Sequence, residues 1–143
     1  VIIPDLNLLL YAEIAAFPLH AAARKWLEDA LSGREQVGFA PVCVFGFIRM
    51  ATNRRVFTDP LSIDAAVRRV EAWLARPQAS LLVAGSRHLE IAFGLLRELG
   101  AGGNLTTDVQ IAAHAIEYGA EVHSNDHDFA RFDGLRLVNP LRR

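Results

Sequence analysis

Val1-Ile2-Ile3-Pro4-Asp5 is an apolar run stopped by a carboxylate. It reads as a short buried strand with an aspartate at its end. Glu121-Val122-His123-Ser124-Asn125-Asp126 repeats the arrangement, with Asp128 two residues on. Between them, Asn104-Leu105-Thr106-Thr107-Asp108 sets a third aspartate at the head of an apolar helical pattern. In an open α/β sheet, strand ends and helix starts meet at one edge, and ligands gather there. Carboxylates brought to that edge repel one another unless a cation lies between them. The pattern therefore predicts a hard-metal site and, with it, hydrolytic chemistry.

The segments outward from these three points alternate in character. Leu6 to Ile14 reads as a loop or one or two helical turns. Pro18 opens a helix in which Leu19, Ala22, Ala23, Trp26, Leu27, Ala30 and Leu31 recur at helical spacing, and Ser32-Gly33 stops it. Val37 to Ala40 is a strand candidate, and Pro41 fits the first turn of a helix running to about Asn53. Ser62 caps a helix carrying Ile63, Ala66, Val67, Val70, Trp73 and Leu74 on one face. Leu81 to Ala84 reads as a strand and Arg87 to Leu99 as a helix. Gly100-Ala101-Gly102-Gly103 connects to a helix from about Thr107 to Tyr118, which Gly119 closes. Glu121 to His123 and Leu135 to Val138 complete the strands. This alternation predicts an α/β fold: a three-layer α/β/α sandwich with a central, mostly parallel sheet. No repeat or linker divides residues 1–143, so the expectation is a single domain.

The chain has 143 residues, 52% of them hydrophobic and 22% charged, which supports a substantial core. The formal net charge of −1 does not by itself announce a nucleic-acid partner. Lys25 is the only lysine among 15 basic residues, and arginine's planar fork suits phosphate; a codon bias towards arginine explains the same count. Cys43 is the only cysteine, which excludes an intramolecular disulfide and a Cys-rich zinc site. Its apolar setting reads as a buried small side chain. The longest uncharged run, Gln36 to Ile48, is shorter than the ~20 residues a membrane span needs. No membrane association and a cytoplasmic location are expected.

An aspartate at a strand end or helix start often only caps the backbone. The combination of Asp5, Asp108 and Asp126 carries more weight, and Thr106, Thr107, Ser124 and Asn125 add neutral oxygens beside it. Ligation by oxygen alone favours Mg²⁺ or Mn²⁺ over Zn²⁺. Chemistry of that kind needs no serine or cysteine nucleophile.

These residues resemble the PIN-domain nucleases. Asp5-Leu6-Asn7-Leu8-Leu9-Leu10-Tyr11 is similar to the family's opening motif. Gly103-Asn104-Leu105-Thr106-Thr107-Asp108 is similar to the segment carrying its third acid, and Ser124-Asn125-Asp126-His127-Asp128-Phe129 to its C-terminal motif. Phe47-Ile48-Arg49-Met50-Ala51-Thr52-Asn53-Arg54-Arg55-Val56-Phe57 resembles a segment of VapC-type toxins, and Gly134 to Pro140 fits as well. The resemblance implies a Mg²⁺-dependent endoribonuclease acting as the toxin of a type II toxin–antitoxin pair, cleaving RNA by metal-activated water. It implies Asp5, Asp108 and Asp126 as catalytic metal ligands, with Asp128 assisting. It also implies a cognate antitoxin protein and a homodimer. One position departs from the pattern: Gly46 stands where many members carry a second acid, which leaves a second metal open.

Asn7 is expected either to orient Asp5 or to start a turn. Thr107 and Asn125 are supporting candidates. Arg49 and Arg54, with Arg55, suit either RNA phosphates and an antitoxin's acidic groups or a solvated loop. The histidines read as structural, with His127, between two candidate ligands, the exception. The apolar helix faces Leu19 to Leu31 and Ile63 to Leu74 exceed what one core obviously needs and motivate a partner. A phosphatase of the haloacid dehalogenase type is disfavoured because Asp5-Leu6-Asn7 lacks its second aspartate. The remaining alternative is a catalytically weak or inactive PIN-like module that binds RNA or protein.

Overall fold

The computed structural model describes residues 1–103 and 105–142, so Asn104, quoted above in the third-acid segment, lies outside the described residues. Five strands form one sheet: β1 (Ile2–Pro4), β2 (Val37–Phe39), β3 (Ala79–Leu81), β4 (Glu121–His123) and β5 (Arg136–Val138). Their order is β3-β2-β1-β4-β5, and every pairing is parallel. Among the described residues six α-helices flank the sheet: α1 (Leu6–Glu13), α2 (His20–Ser32), α3 (Pro41–Ala51), α4 (Ile63–Leu74), α5 (His88–Leu99) and α6 (Leu105–Tyr118). The predicted three-layer architecture is present, and the sheet is parallel throughout.

A parallel sheet covered by helices must bury its strands, which is why the strands here are apolar runs. Ile3, Val37, Phe39 and Val122 are fully buried. Each such side chain contributes roughly 1.5–3 kcal/mol on leaving water. Gly38 in β2 has no room for a side chain, because a Cβ there would lie 2.6 Å from Leu82 Cδ2. Gly119 closes α6 with φ +64°, as its place after Tyr118 predicts.

Leu6–Glu13 takes the helical alternative, a helix of 8 residues or about two turns, with Leu8, Leu9, Leu10 and Ala12 all drawn into the core. One segment differs from expectation. The third strand is Ala79–Leu81 rather than Leu81–Ala84. The Tyr118 hydroxyl donates to the Val83 carbonyl and lies 3.3 Å from the Val83 N–H, which takes Val83 out of the ladder. Val83 is 71% exposed, so its apolarity misleads as a strand signal.

The faces of α2 and α4 that suggested a partner are largely spent within the chain. Ala23, Leu27, Leu31, Ala66, Val70 and Trp73 all enter the core. Trp73 stacks on Phe39 at 5.4 Å. Leu19, Ile63 and Val67 of those faces remain exposed, and further exposed apolar side chains lie elsewhere, at Phe45, Val83, Leu89 and Phe93. Among the described residues, no helix is long and apolar enough to cross a membrane. His88 and His114 are buried with ring centroids 4.3 Å apart between α5 and α6, in keeping with a structural role. Burial pushes the His114 imidazole below its ordinary value, helped by the neighbouring His88.

One buried carboxylate ties three helices together. Glu13, at the end of α1, accepts from Arg24 at 2.8 Å, Arg69 at 2.7 Å and the Trp73 indole at 3.0 Å. Its side chain is 3% exposed, so the charge depends on these donors. Replacing Glu13 with Ala strands the indole N–H and is expected to cost about 2 kcal/mol in urea unfolding. Glu13→Gln keeps a carbonyl acceptor and should cost clearly less.

Candidate active site

The sheet order places its switch point between β1 and β4, where the chain crosses from one half of the sheet to the other. The register there is Ile2 opposite Glu121, Ile3 opposite Val122 and Pro4 opposite His123. Pro4 has no N–H, but the Asp5 N–H resumes the ladder, donating to the His123 carbonyl at 2.9 Å. Asp5 therefore leaves β1 beside Ser124 as it leaves β4. The Ser124 hydroxyl donates to Asp5 Oδ2 at 2.7 Å and accepts from the Asp126 N–H at 2.9 Å. One buried serine thus joins the first acid to the loop of the last two. Asp126 Oδ1 accepts from the Asp128 N–H at 2.9 Å and caps the short 3-10 turn His127–Arg131.

Asp108 reaches the same edge from the first turn of α6. Asp108, Asp126 and Asp128 each offer a carboxylate oxygen within 4.8 Å of the others. Asp128, expected as a helper, is thus inside the tightest group. Asp5 stands just behind it, buried and turned to Ser124. Burial raises the Asp5 carboxyl to about 6; the Ser124 hydroxyl and Leu6 N–H oppose this, and the charge of Asp126 adds to it. Asp108 is raised to about 7, by burial first and then by the charges of Asp5, Asp126 and Asp128. The Arg131 guanidinium lies 3.5 Å from Asp128 Oδ1 at the edge of the group, and the raised Asp5 and Asp108 show that negative charge there remains in excess. An all-oxygen donor set with crowded carboxylates fits a hard divalent cation such as Mg²⁺ or Mn²⁺.

The other candidates divide. Thr107 and Arg49 line one cleft of ≈ 230 Å³ with Leu6, Val42, Phe45 and Gly46, next to Asp108 in sequence. Arg54 lines a separate hollow with Thr52, Thr58, Asp59, Pro60, Leu61, Ser62 and Ile63, which includes none of the four aspartates. Asn7 lies in the first turn of α1, and the orienting bond to Asp5 comes from Ser124 instead. The signal for Ser124 was its place between a strand end and an aspartate. Asn125 accepts from the Asn139 amide at 3.0 Å. His127 pairs through Nε2 with the Arg142 guanidinium, which occupies the lone pair a ligand would need. Cys43 is fully buried, and burial holds its thiol well above the ordinary range. At Gly46 a Cβ would lie 3.1 Å from Leu6 Cδ2, close enough that the leucine would have to shift by a few tenths of an ångström.

The raised carboxyls make stability depend on pH. The folded chain holds these protons more tightly than the unfolded chain, so their protonation stabilises it at low pH. That contribution is lost as pH rises from the ordinary value of 3.8 through about 6 for Asp5 and about 7 for Asp108. Metal-free protein should therefore lose Tm between pH 5 and pH 8 more steeply than Asp108→Asn does. Added Mg²⁺ should raise the Tm of the parent chain strongly at pH 8 and little at pH 5. Thermal scans at the two pH values check both.

The geometry agrees with comparisons to known proteins. The PIN domain pattern matches residues 2–135. The chain is 52% identical over 141 residues to ribonuclease VapC33 of Mycobacterium tuberculosis strain H37Rv, covering 99% of each. It is 42% identical over 138 residues to ribonuclease VapC37 of the same strain, covering 96% of each. The solved structure of VapBC-1 from nontypeable Haemophilus influenzae superposes with TM-score 0.70 at 17% identity, covering 99% of this chain and 98% of that one. With its fold, its aspartate constellation and these matches over nearly its full length, the chain belongs to the PIN-domain family and groups with its VapC-type members.

Proposed function

We propose that this chain is a Mg²⁺-dependent endoribonuclease and the toxin of a type II toxin–antitoxin pair. The observation that carries the reading is the meeting of Asp108, Asp126 and Asp128 at the sheet's switch point, with Asp5 near enough for its charge to help raise the Asp108 carboxyl. The ribonuclease names of relatives at 52% and 42% identity support the reaction class.

In this reading Asp108, Asp126 and Asp128 hold the cation, and Asp5 joins them from behind. When bound, a divalent cation lowers the pKa of a water and offsets charge developing on phosphate oxygens. Ser124 keeps Asp5 aimed at the cluster, and its second bond sets the start of the Asp126 loop. Arg49, exposed in the cleft with Thr107, supplies a guanidinium for an RNA phosphate. Gly46 contributes no carboxylate, so the ligands in this reading come from Asp108, Asp126 and Asp128 with Asp5. Arg54 lies with the surface around the α3–α4 connection and serves RNA or a protein partner rather than the reacting phosphate.

The partner in this proposal is a cognate antitoxin, in keeping with the VapBC naming of the structural neighbour. A homodimer would cover exposed apolar side chains such as Phe45, Leu89 and Phe93. Size-exclusion chromatography with light scattering tests the dimer; a monomer at high concentration contradicts it.

Gly46 favours one rival, a PIN-like module that binds RNA without cutting it. The two readings separate in a single assay. With Mg²⁺ and cellular RNA, the parent chain should release new RNA ends. Asp5→Asn should slow this by at least about a hundredfold while leaving the fold intact by circular dichroism. RNA retained on the parent chain with no Mg²⁺-dependent ends would favour the binding module, and cleavage undiminished in Asp5→Asn would remove Asp5 from the site.

A further inference from the structure

The Asp126–Asp128 loop carries two carboxylates that repel each other and Asp108. Without a cation, such a loop relaxes outward unless something outside it holds it in place. Ser124 holds its first residue through the Asp126 N–H, and Arg131, 3.5 Å from Asp128 Oδ1 and exposed, offsets part of the charge at its end. Another hold comes from the segment that follows β5.

The β4–β5 register sets His123 opposite Val138, and the Ser124 N–H donates to the Val138 carbonyl at 3.0 Å. The residue that follows β5 is Asn139, which the sheet therefore delivers beside Ser124 and Asn125. Both ends of its amide are used. Its Oδ1 accepts from the Leu141 N–H at 3.1 Å, which turns its Nδ2 towards Asn125 Oδ1 at 3.0 Å. That backbone donor fixes which end of the amide faces the loop. The Arg142 N–H donates to the Asn139 carbonyl at 3.4 Å, and this turn carries the Arg142 guanidinium onto His127, between the two loop aspartates. The turn thus grips Asn125 and His127, the residues on either side of Asp126.

We propose that Asn139 is a positioning residue: through Asn125 it holds the Asp126–Asp128 loop against carboxylate repulsion in the arrangement that receives the cation. This rests on the metal-dependent reading of the site and adds a residue to it. Asn139 touches neither RNA nor metal in this account. It acts as outer-shell partners of metal ligands do, where a lost hydrogen bond lowers metal affinity by about ten- to a hundredfold.

The test is Mn²⁺ binding to RNA-free protein, followed by electron paramagnetic resonance of the free ion. Asn139→Ala should weaken Mn²⁺ binding about tenfold, and at saturating RNA it should lower kcat with little change in KM. Asn125→Ala removes the same bond from the other side without touching the Asn139–Leu141 turn, and should weaken binding similarly. The double variant should be no worse than either single one, because all three lack one shared interaction. Parent-like Mn²⁺ affinity in Asn125→Ala, or additive losses in the double variant, would overturn the proposal while leaving the metal site standing. Absence of Mn²⁺ binding by the parent chain would overturn the metal reading itself, and this inference with it.

Discussion

Mutual repulsion among four carboxylates is the constraint on which the site depends, and the parallel pairing of β1 with β4 is what opposes it. That pairing sets Asp5 next to Ser124. Ser124 then spans from Asp5 to Asp126 with one hydroxyl, donating to one and accepting from the other. Asp108 is brought in by the start of α6. The consequence is electrostatic: two of these acids hold protons to about 6 and 7. Folding has already met the cost of crowding negative charge, so a cation entering the site relieves strain rather than creating it.

The rest of the molecule keeps that edge rigid. Strands buried on both faces permit little slippage, since a one-residue shift would turn core side chains outward. Glu13 binds α1, the helix that leaves Asp5, to α2 and α4. Leu6, the first residue of α1, packs at Gly46 of α3.

Much of the plan was legible in the chain itself, because alternating apolar runs and helical periods are local signals. The acids that end β1 and β4, and the one that starts α6, could be placed on one edge from those signals alone. Less accessible was anything decided across the fold. Val83 looks like a strand residue until Tyr118 takes its backbone. Glu13 is one charge at the end of an apolar run, and its burial depends on arginines 11 and 56 residues away in sequence. Asn7 sits beside Asp5 in sequence, yet the orienting hydroxyl arrives from a residue separated by 119. Asn139 reaches the site only through the β4–β5 register.

The central claim is that these four aspartates hold a divalent cation at the end of β1 and β4. Anomalous diffraction from crystals grown with Mn²⁺ tests it most directly. A peak is expected among the carboxylates of Asp108, Asp126 and Asp128, with Asp5 adjacent, and it should vanish in Asp108→Asn. Well-ordered crystals with the aspartates in place, Mn²⁺ at saturating concentration and no peak there would contradict it.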